Sequence, residues 1–282
     1  MTTWFITGAA TGLGRALAEE VLRRGDNAVV TGRELGALTE LADAHADHAL
    51  AVQLDVTSDA QRTAALARAE ERFGGVDVLV NNAAVDFVGA VEEQTDADIR
   101  TQFEVNVFGA LALTRLVLPG MRTRRRGTIV NISSMDGIAS LPGNGIYSAT
   151  KFALEGLTEA LAGELEPIGL RALLVEPGSF RTGIQNRTSA SGDAIADYEA
   201  TGGVFRSFMG TIPPEAFPGD PARGATVIYD TVTAEPARHW LVLGSDAQRR
   251  IQAKLDTFTA EFEAGAELAA STDYPDSGPA VL

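Results

Sequence analysis

The chain has 282 residues, of which 45% are hydrophobic and 22% are charged, so it fits one large α/β domain or two small ones. Its formal net charge of −15 argues against nucleic acid or an anionic membrane as a partner. It has no cysteine and three histidines without metal-ligand spacing, which excludes disulfides and thiolate chemistry and predicts no metal site.

Short apolar runs alternate with amphipathic stretches along most of the chain, as expected for alternating strands and helices. Near-continuous apolar strands indicate burial on both faces, so the pattern predicts an α/β fold: a doubly wound parallel sheet of about seven strands with helices on both faces. Strands are predicted at Thr3–Thr7, Asn27–Thr31, Ala49–Asp55, Val76–Asn81, Gly127–Ser133, Leu170–Glu176 and Arg238–Leu243. Helices are predicted at Gly12–Arg24, Leu35–His45, Asp59–Phe73, Asp96–Met121, Ile146–Glu166 and Pro221–Thr233.

Residues 179–219 break this alternation with glycine, serine, proline and several large apolar residues. An irregular stretch of this length within a compact domain is functional or disordered. After Gly244 a helical pattern covers Asp246–Leu268, and a polar tail follows that we expect to be frayed, Ser271–Leu282. We therefore expect one domain over residues 1–245 and a C-terminal helix and tail over 246–282.

The N-terminal residues lead straight into glycines, with no charged leader and no long apolar stretch before them. We find no apolar run of about 18 residues, the length of a membrane span. The sequence therefore predicts a cytoplasmic protein without a signal peptide or a membrane span.

A glycine-rich run, Thr7–Gly14, directly follows the first predicted strand and opens the first helix. Glycines permit a tight turn there and let the backbone approach a pyrophosphate, while the helix N-terminus offers free N–H groups. The spacing is GxxxGxG rather than GxGxxG, and a tight turn without a ligand is the alternative.

Tyr147 and Lys151 lie four residues apart on a predicted helix, and Ser134 precedes Tyr147 by thirteen residues. That spacing places a Lys ammonium beside a Tyr hydroxyl. A nearby cation favours the phenolate, so it brings the phenol pKa down toward the working pH, where the phenol can exchange a proton with an alcohol or carbonyl oxygen. Taken alone, the spacing is common and usually carries no function.

These motifs, in this order and spacing, resemble the short-chain dehydrogenase/reductase family, in its compact single-domain branch with a Rossmann-type sheet. The resemblance covers roughly residues 3–245, and among bacterial members it is most similar to those resembling 17β-hydroxysteroid dehydrogenases. The motifs that carry it are Thr7–Gly14, Asn81–Ala84, Asn106, Ser134 with Tyr147 and Lys151, and Pro177-Gly178 with Thr182.

The resemblance implies the catalytic roles. Tyr147 would be the general acid in reduction and the base in oxidation, and Lys151 would lower the Tyr147 pKa and bind the nicotinamide ribose. Ser134 would hydrogen-bond the substrate oxygen, with Ser133 as the competing candidate. Asn106 would hold a water for proton relay, or it is a polar residue that kinks a packed helix.

The resemblance also implies where the coenzyme lies. Ala84 stands where the family usually has glycine, which puts the local backbone conformation in question. Asp55 would contact the adenine, or it caps the helix that begins near Ser58. The implied coenzyme contacts, besides Tyr147 and Lys151, are Gly8, Thr11, Gly12, Leu13, Gly14, Asp55, Val56, Asn82, Ala83, Pro177, Gly178 and Thr182.

Coenzyme choice depends on the end of the second strand. Gly32 occupies the place where NAD-selective members need a carboxylate, and the guanidinium of Arg33 suits a 2′-phosphate. We therefore predict NADP(H), with NAD(H) as the alternative. Thr11, where many NADP-selective members carry a second basic residue, and Glu34 count against that preference.

The resemblance implies that residues 179–219 correspond to the family's substrate lid, and we call them the lid segment. Its apolar residues predict a largely apolar carbonyl or alcohol substrate, unless they only pack the lid on the body. Arg181 and Arg206 could meet an anionic substrate, although charged lid residues are usually solvated. The apolar residues are Phe180, Ile184, Tyr198, Phe205, Phe208, Met209 and Phe217.

The sequence thus predicts an NADP(H)-dependent oxidoreductase acting on carbonyls or secondary alcohols. The resemblance implies a homodimer or homotetramer built on the helices at Asp96–Met121 and Ile146–Glu166. Two alternatives remain: a catalytically silent dinucleotide-sensing protein, and an epimerase or dehydratase that uses bound NAD transiently.

Overall fold

The computed structural model describes residues 1–184, 187–274 and 278. Seven of its strands form one parallel sheet, and the strand order reverses between Thr3–Ile6 and Val78–Asn81. Across the sheet the order is Ala49–Gln53, Asn27–Gly32, Thr3–Ile6, Val78–Asn81, Thr128–Ile132, Arg171–Pro177 and Trp240–Leu243. The predicted doubly wound α/β fold is confirmed. The strands are β1 Thr3–Ile6, β2 Asn27–Gly32, β3 Ala49–Gln53, β4 Val78–Asn81, β5 Phe87–Val88, β6 Thr128–Ile132, β7 Arg171–Pro177, β8 Ser189–Ala190 and β9 Trp240–Leu243. The helices are α1 Gly12–Arg23, α2 Gly36–Ala44, α3 Asp59–Phe73, α4 Asp96–Phe103, α5 Ala110–Arg124, α6 Gly145–Leu165, α7 Gly202–Thr211, α8 Pro221–Thr233, α9 Ser245–Ala264 and α10 Ala266–Ala270.

Side chains of β1 show how the sheet is buried on both faces. Trp4 and Ile6 belong to one hydrophobic cluster, and Phe5 between them belongs to the other. In register, Phe5 lies opposite Val29 of β2 and Leu79 of β4. Because alternate residues of a strand face opposite sides, a sheet covered by helices on both faces needs continuous apolar strands, as the sequence has.

The predicted helix Asp96–Met121 is α4 and α5 joined by one π-helical turn at Glu104–Gly109. Among the described residues, this 29-residue segment, Asp96–Arg124, is the one helix whose length and mean hydropathy of 1.2 match a membrane span, which the sequence analysis did not anticipate. Leu113 and Val117 are buried in the core cluster beneath the sheet. Packing within this domain therefore accounts for much of the apolar character of the segment.

The lid segment contains more regular structure than predicted. β8 pairs in parallel with β5, and α7 is a ten-residue helix. Phe180 and Gly219 form an isolated bridge that joins the two ends of the segment. Strands of two residues carry no periodicity, and the paired glycines that open α7 have low helix propensity, so neither element was visible in the pattern.

The C-terminal region begins as predicted. α9 starts at Ser245, and Ala247 and Ile251 are buried, whereas the later part of the helix is exposed. Of the tail predicted to be frayed, residues 275–277 and 279–282 lie outside the described residues.

Candidate functional site

A cavity of about 890 Å³ opens at the carboxyl ends of the parallel strands, where the strand order reverses. The lid segment covers it. Of the predicted site residues, all line the cavity except Gly12, Gly14 and Asn106. Those that do are Gly8, Thr11, Leu13, Arg33, Asp55, Val56, Asn82, Ala83, Ser134, Tyr147, Lys151, Pro177, Gly178 and Thr182.

Asn82 holds the glycine-rich loop in place. Its side chain donates to the main-chain oxygens of Thr7 and Gly8 at 2.8 and 3.1 Å. The Thr7 hydroxyl accepts from the main-chain N–H groups of Asn82 and Ala83 at 2.9 and 3.0 Å. A Cβ at Gly14 would lie 2.4 Å from the Asn82 amide nitrogen, so glycine is required there by close approach.

The start of α1 fits an anionic group. Thr11 at the N-cap makes no side-chain cap hydrogen bond, so the helix N-terminus keeps N–H groups for a ligand. Gly8 and Gly12 have φ of 65° and 60°, which folds the loop beneath that terminus. Ala84, in contrast, does not have a positive φ, so the chain accepts alanine where the family has glycine.

The ends of β2 and β3 bring Arg33 and Asp55 to the cavity. Arg33 is exposed and forms no ion pair with any described residue. Hydrogen bonds from the Thr57 main chain and hydroxyl lower the pKa of Asp55, and the charge of Arg33 contributes. Ser58, and not Asp55, caps α3, since its hydroxyl accepts from the Gln61 N–H.

Tyr147 and Lys151 lie one turn apart on α6, as predicted, with the ammonium 5.5 Å from the centre of the phenol ring. Lys151 is buried, and its Nζ donates to the Ile132 carbonyl at 2.8 Å. Burial lowers the Lys151 pKa to about 8, opposed by neighbouring carboxylates, of which Glu155 contributes most.

The pKa of Tyr147 moves opposite to the expected direction. Burial raises it, and the carboxylates Asp86 and Asp136 add to the rise, while a hydrogen bond with the Ser134 hydroxyl opposes them. The ammonium of Lys151 alone suggests a lowered value. The sequence pattern showed the cation but not the burial or the two acids, which outweigh it.

Ser134 and Ser133 both follow β6, but they have different partners. The Ser133 hydroxyl donates to the Glu155 carboxylate. The Ser134 hydroxyl donates to Asp136 at 3.2 Å and accepts the main-chain N–H of that residue at 3.1 Å. Because Ser134 also interacts with Tyr147, it is the serine that can reach a substrate oxygen.

Asn106 lies in the π-helical turn and is 2% exposed. Its side chain exchanges two hydrogen bonds with the main chain of Val85, at 2.8 and 2.9 Å, and donates to Thr150 of α6 at 3.1 Å. Both ends of the side chain are used, so only main-chain groups of this residue remain for a bound water. The π turn itself is a feature that is frequent at functional sites.

The lid segment meets the glycine-rich loop at Thr182 and Arg187. A Cβ at Gly12 would lie 3.0 Å from the Thr182 Cβ and 3.4 Å from Arg187 Nη2. Arg187 donates to the Thr182 carbonyl at 3.1 Å, forms no ion pair within the described chain, and has a pKa lowered by burial. Sequence reasoning missed Arg187 because a lone arginine in a loop has no pattern.

The other lid arginines hold the segment together. Arg181 donates to the Phe217 carbonyl at 2.8 Å, and Arg206 donates to the Ser191 carbonyl at 2.7 Å and pairs with Glu93. Neither lines the cavity, so neither meets an anionic substrate there in this arrangement. Of the apolar lid residues, the cavity is lined by Phe180, Ile184, Phe205, Phe208, Met209 and Phe217, but not by Tyr198.

Four acidic residues near Tyr147 were not identified from the sequence. Asp86 and Asp136 line the cavity, and Asp136 forms an ion pair with Arg250 of α9. Glu155 of α6 and Glu176 of β7 form a buried pair behind Ser133. Burial raises the pKa of both, that of Glu155 to about 8, so the pair retains a proton at neutral pH.

Comparison with known proteins identifies relatives of the whole chain. The family model described as short chain dehydrogenase matches residues 2–192. Oxidoreductase calM of Penicillium decumbens is 32% identical over 282 residues, covering 95% of this chain and 92% of that protein. A short-chain dehydrogenase structure from Streptomyces avermitilis is 40% identical with a TM-score of 0.90, covering 96% of this chain and 98% of that one. The closed form of serine dehydrogenase complexed with NADP⁺ is 26% identical with a TM-score of 0.73, covering 86% and 94%.

Proposed function

The chain belongs to the short-chain dehydrogenase/reductase family, an NAD(P)-dependent oxidoreductase acting on a small molecule, and on that premise we propose that it interconverts carbonyls and secondary alcohols with NADP(H). One observation carries the proposal. Ser134, Tyr147 and Lys151 line the same cavity as the glycine-rich loop, so a proton donor and a dinucleotide cradle share one space.

The residues present fit a nicotinamide dinucleotide. Gly8 and Thr11 line the cavity at the N-terminus of α1, where the Thr11 side chain leaves the N–H groups uncapped, which suits a diphosphate. Arg33, Asp55 and Val56 would hold the adenosine half. Tyr147 and Lys151 would hold the nicotinamide ribose, and Pro177, Gly178 and Thr182 the carboxamide. When bound, the coenzyme supplies or accepts the hydride.

Tyr147 is the group that moves the proton. In reduction its hydroxyl donates to the carbonyl oxygen while Ser134 donates a hydrogen bond to the same oxygen and polarises it. Burial and two carboxylates raise the Tyr147 pKa, so the phenol is protonated at neutral pH and is ready to act as an acid. The Lys151 ammonium stabilises the phenolate that remains after this donation, and in oxidation that phenolate takes the alcohol proton.

The preference for NADP(H) rests on the end of β2. Gly32 offers no carboxylate to a ribose 2′-OH, and Arg33 beside it, which has no ion-pair partner in the described ranges, offers a planar fork that matches a phosphate.

The lid segment supports a largely apolar substrate. The cavity is lined by Phe205, Phe208 and Met209 of α7 and by Phe217. An apolar wall with few polar groups is typical of small-molecule sites and binds the hydrocarbon part of a carbonyl compound.

Substitution of Tyr147 tests the proposal. We expect Tyr147→Phe to lower kcat for a ketone by about 10²–10⁴-fold, the usual contribution of a positioned acid, with little change in the NADPH dissociation constant. Turnover is followed at the nicotinamide absorbance with a panel of ketones and aldehydes, and binding by nicotinamide fluorescence. Full activity of the variant would exclude Tyr147 as the acid. Tight coenzyme binding by the unaltered protein without turnover of any carbonyl would favour the sensing protein instead.

A further inference from the structure

Asp86 is a buried carboxyl group in the wall of the catalytic cavity, and one of its two oxygens has no hydrogen-bond partner among the described residues. It follows the end of β4, lines the cavity and is 7% exposed. Its Oδ2 receives one long hydrogen bond, 3.4 Å, from the Thr188 hydroxyl of the lid segment. Its Oδ1 has no hydrogen-bond partner among the residues that the structure describes.

Asp136, the second carboxyl group of the cavity, is in a different situation. Its Oδ1 pairs with Arg250, and its Oδ2 accepts from Ser134 at 3.2 Å and from Asn144 at 3.4 Å. Both oxygens and the charge are therefore satisfied within the protein. Within the described part of the chain Asp86 forms no such ion pair, so of the two acids it is the one still able to accept from a ligand.

A buried carboxylate oxygen without a donor destabilises the folded protein. Burial raises the Asp86 pKa to about 7, and the charge of Asp136 adds to the rise. If Asp86 only fastened the lid segment to the domain, that would account for its hydrogen bond with Thr188. It would not account for Oδ1, which has no partner among the described residues. Groups kept at such a cost are concentrated at sites where a ligand provides the missing partner.

The position of Asp86 limits which part of a ligand it can meet. Asp86 lines the same cavity as Tyr147 and Lys151, so a substrate whose carbonyl is held at Tyr147 shares that space with Asp86. The apolar residues of α7 line the same cavity. A substrate that fits both features has an apolar body and a hydrogen-bond donor next to its carbonyl.

We propose that Asp86 accepts a hydrogen bond from the substrate, and that the substrate is a ketone or alcohol with a hydroxyl or ammonium group on the carbon beside the reacting one. The assignment rests on the carbonyl reductase function proposed above. It adds to that function a specificity residue and a chemical class, the α-hydroxy and α-amino ketones and the corresponding alcohols.

The test compares three ketones that share one apolar body: acetophenone, α-hydroxyacetophenone and α-aminoacetophenone, whose substituents are on the carbon beside the carbonyl. We expect the unaltered enzyme to favour at least one donor-bearing ketone by about tenfold or more in kcat/KM, as hydrogen bonds to charged groups do. Asp86→Ala should remove that preference, so kcat/KM for the donor-bearing ketones should fall about tenfold further than kcat/KM for acetophenone, whose own change reports the effect of the lost charge on Tyr147. Thr188→Val is the matched control, since it removes the Oδ2 contact, keeps the carboxyl group and should keep the preference.

Asp86→Asn separates the two donors and also serves if the alanine variant does not fold. An amide oxygen still accepts from a hydroxyl but carries no charge, so the variant should lose more for the ammonium ketone than for the hydroxyl ketone. An unaltered enzyme without a preference for either donor, or an alanine variant that keeps it, overturns the proposal while the reductase function stands. No turnover of any of the three ketones or of a wider carbonyl panel overturns the function as well.

Discussion

Arg33 and Arg187 are two cations that form no ion pair with any residue in the described ranges, although acidic residues outnumber basic ones in this chain by 38 to 23. Arg33 lies at the end of β2, where the adenosine ribose is expected. Arg187 lies over Gly12, where the diphosphate is expected. NADP(H) has phosphate groups at both places and NAD(H) only at the second, so the two arginines can be separated by experiment.

Replacing Arg33 with alanine should weaken NADPH binding by about tenfold or more and NADH binding by much less. The reason is that only NADPH carries the 2′-phosphate that the guanidinium would hold. Titration of purified protein with each coenzyme, followed by nicotinamide fluorescence, measures both dissociation constants. An equal loss for the two coenzymes would contradict the role of Arg33 in selecting NADP(H).

Replacing Arg187 with glutamine should weaken both coenzymes by a similar factor, again about tenfold, because the diphosphate is common to them. The same titrations measure it. Arg223→Gln, on the exposed face of α8, is the control and should change neither constant. If Arg187→Gln affects only one coenzyme, or neither, the guanidinium does not contact the diphosphate.

At this scale, what the sequence revealed depended on spacing. The four-residue spacing of Tyr147 and Lys151 placed both on one face of α6, and the structure has them there. Asp136 and Arg250 are 114 residues apart along the chain, and nothing local connects them. Asp86 and Arg187 lie in loops without periodicity, so their chemistry became visible only when folding brought them to the cavity.

Half-buried Glu155 and buried Glu176 interact next to Ser133 and join α6 to β7. Glu155 is one turn after Lys151, and its carboxylate accepts from Ser133 at the end of β6. Burial is the largest cause of the raised pKa of each acid. The charge of Glu176 adds to the rise in the Glu155 pKa, and a hydrogen bond joins the two carboxyl groups. Since two facing carboxylates cannot both be charged at low cost, they share a proton.

This pair gives the protein a pH-dependent stability. The pKa of Glu155 is raised from 4.5 when unfolded to about 8 in the fold, so between those values the folded protein holds a proton that the unfolded chain releases. The free energy of unfolding should therefore fall as pH rises from about 4.5 to 8. Glu155→Gln should flatten this decline and raise Tm at pH 8 by a few degrees relative to the unaltered protein.

Thermal unfolding at several pH values measures the effect. Glu159→Gln changes an exposed acid on the same helix and should leave the slope unchanged. A slope in Glu155→Gln as steep as in the unaltered protein would show that Glu176, Asp86 or another buried acid with a raised pKa dominates instead.

The prediction of secondary structure succeeded for elements long enough to show a period. Helices α3 and α8 have the predicted ends, because Ser58 and Asp220 cap them and Gly74 ends α3 in the left-handed conformation. Capping residues are visible in a sequence. The pairing of β5 with β8 depends on chain segments about a hundred residues apart, and no local signal predicts it.

At the scale of the whole molecule, two neighbouring elements, the π-helical turn before α5 and the helix α6, each expose an aromatic side chain. Phe108 in the π turn is 51% exposed, and Phe152 on α6, which packs beside that turn, is 46% exposed. Exposed aromatic residues on adjacent helices are typical of an interface. They support the dimer expected on these helices, and a C₂ dimer is the simplest closed assembly.

Phe152→Glu should convert the protein to a monomer, halving the mass measured by light scattering, because it places a charge in the centre of the expected interface. Phe262→Glu, at a still more exposed aromatic residue on α9, is the control and should leave the mass unchanged. A dimer that survives the first substitution but not the second would place the interface on α9.

The pairing of β8 with β5 divides the lid segment into two loops, one on each side of Ser189–Ala190. The first loop carries Thr182 and Arg187, which contact the glycine-rich loop, and the second carries α7 with the apolar residues of the cavity. The entropy of closing a loop grows only with the logarithm of its length, so insertions into the second loop cost little. Residues 191–218 can therefore be lengthened or exchanged to change the accepted substrate. We expect the first loop to keep the coenzyme contacts proposed for Thr182 and Arg187.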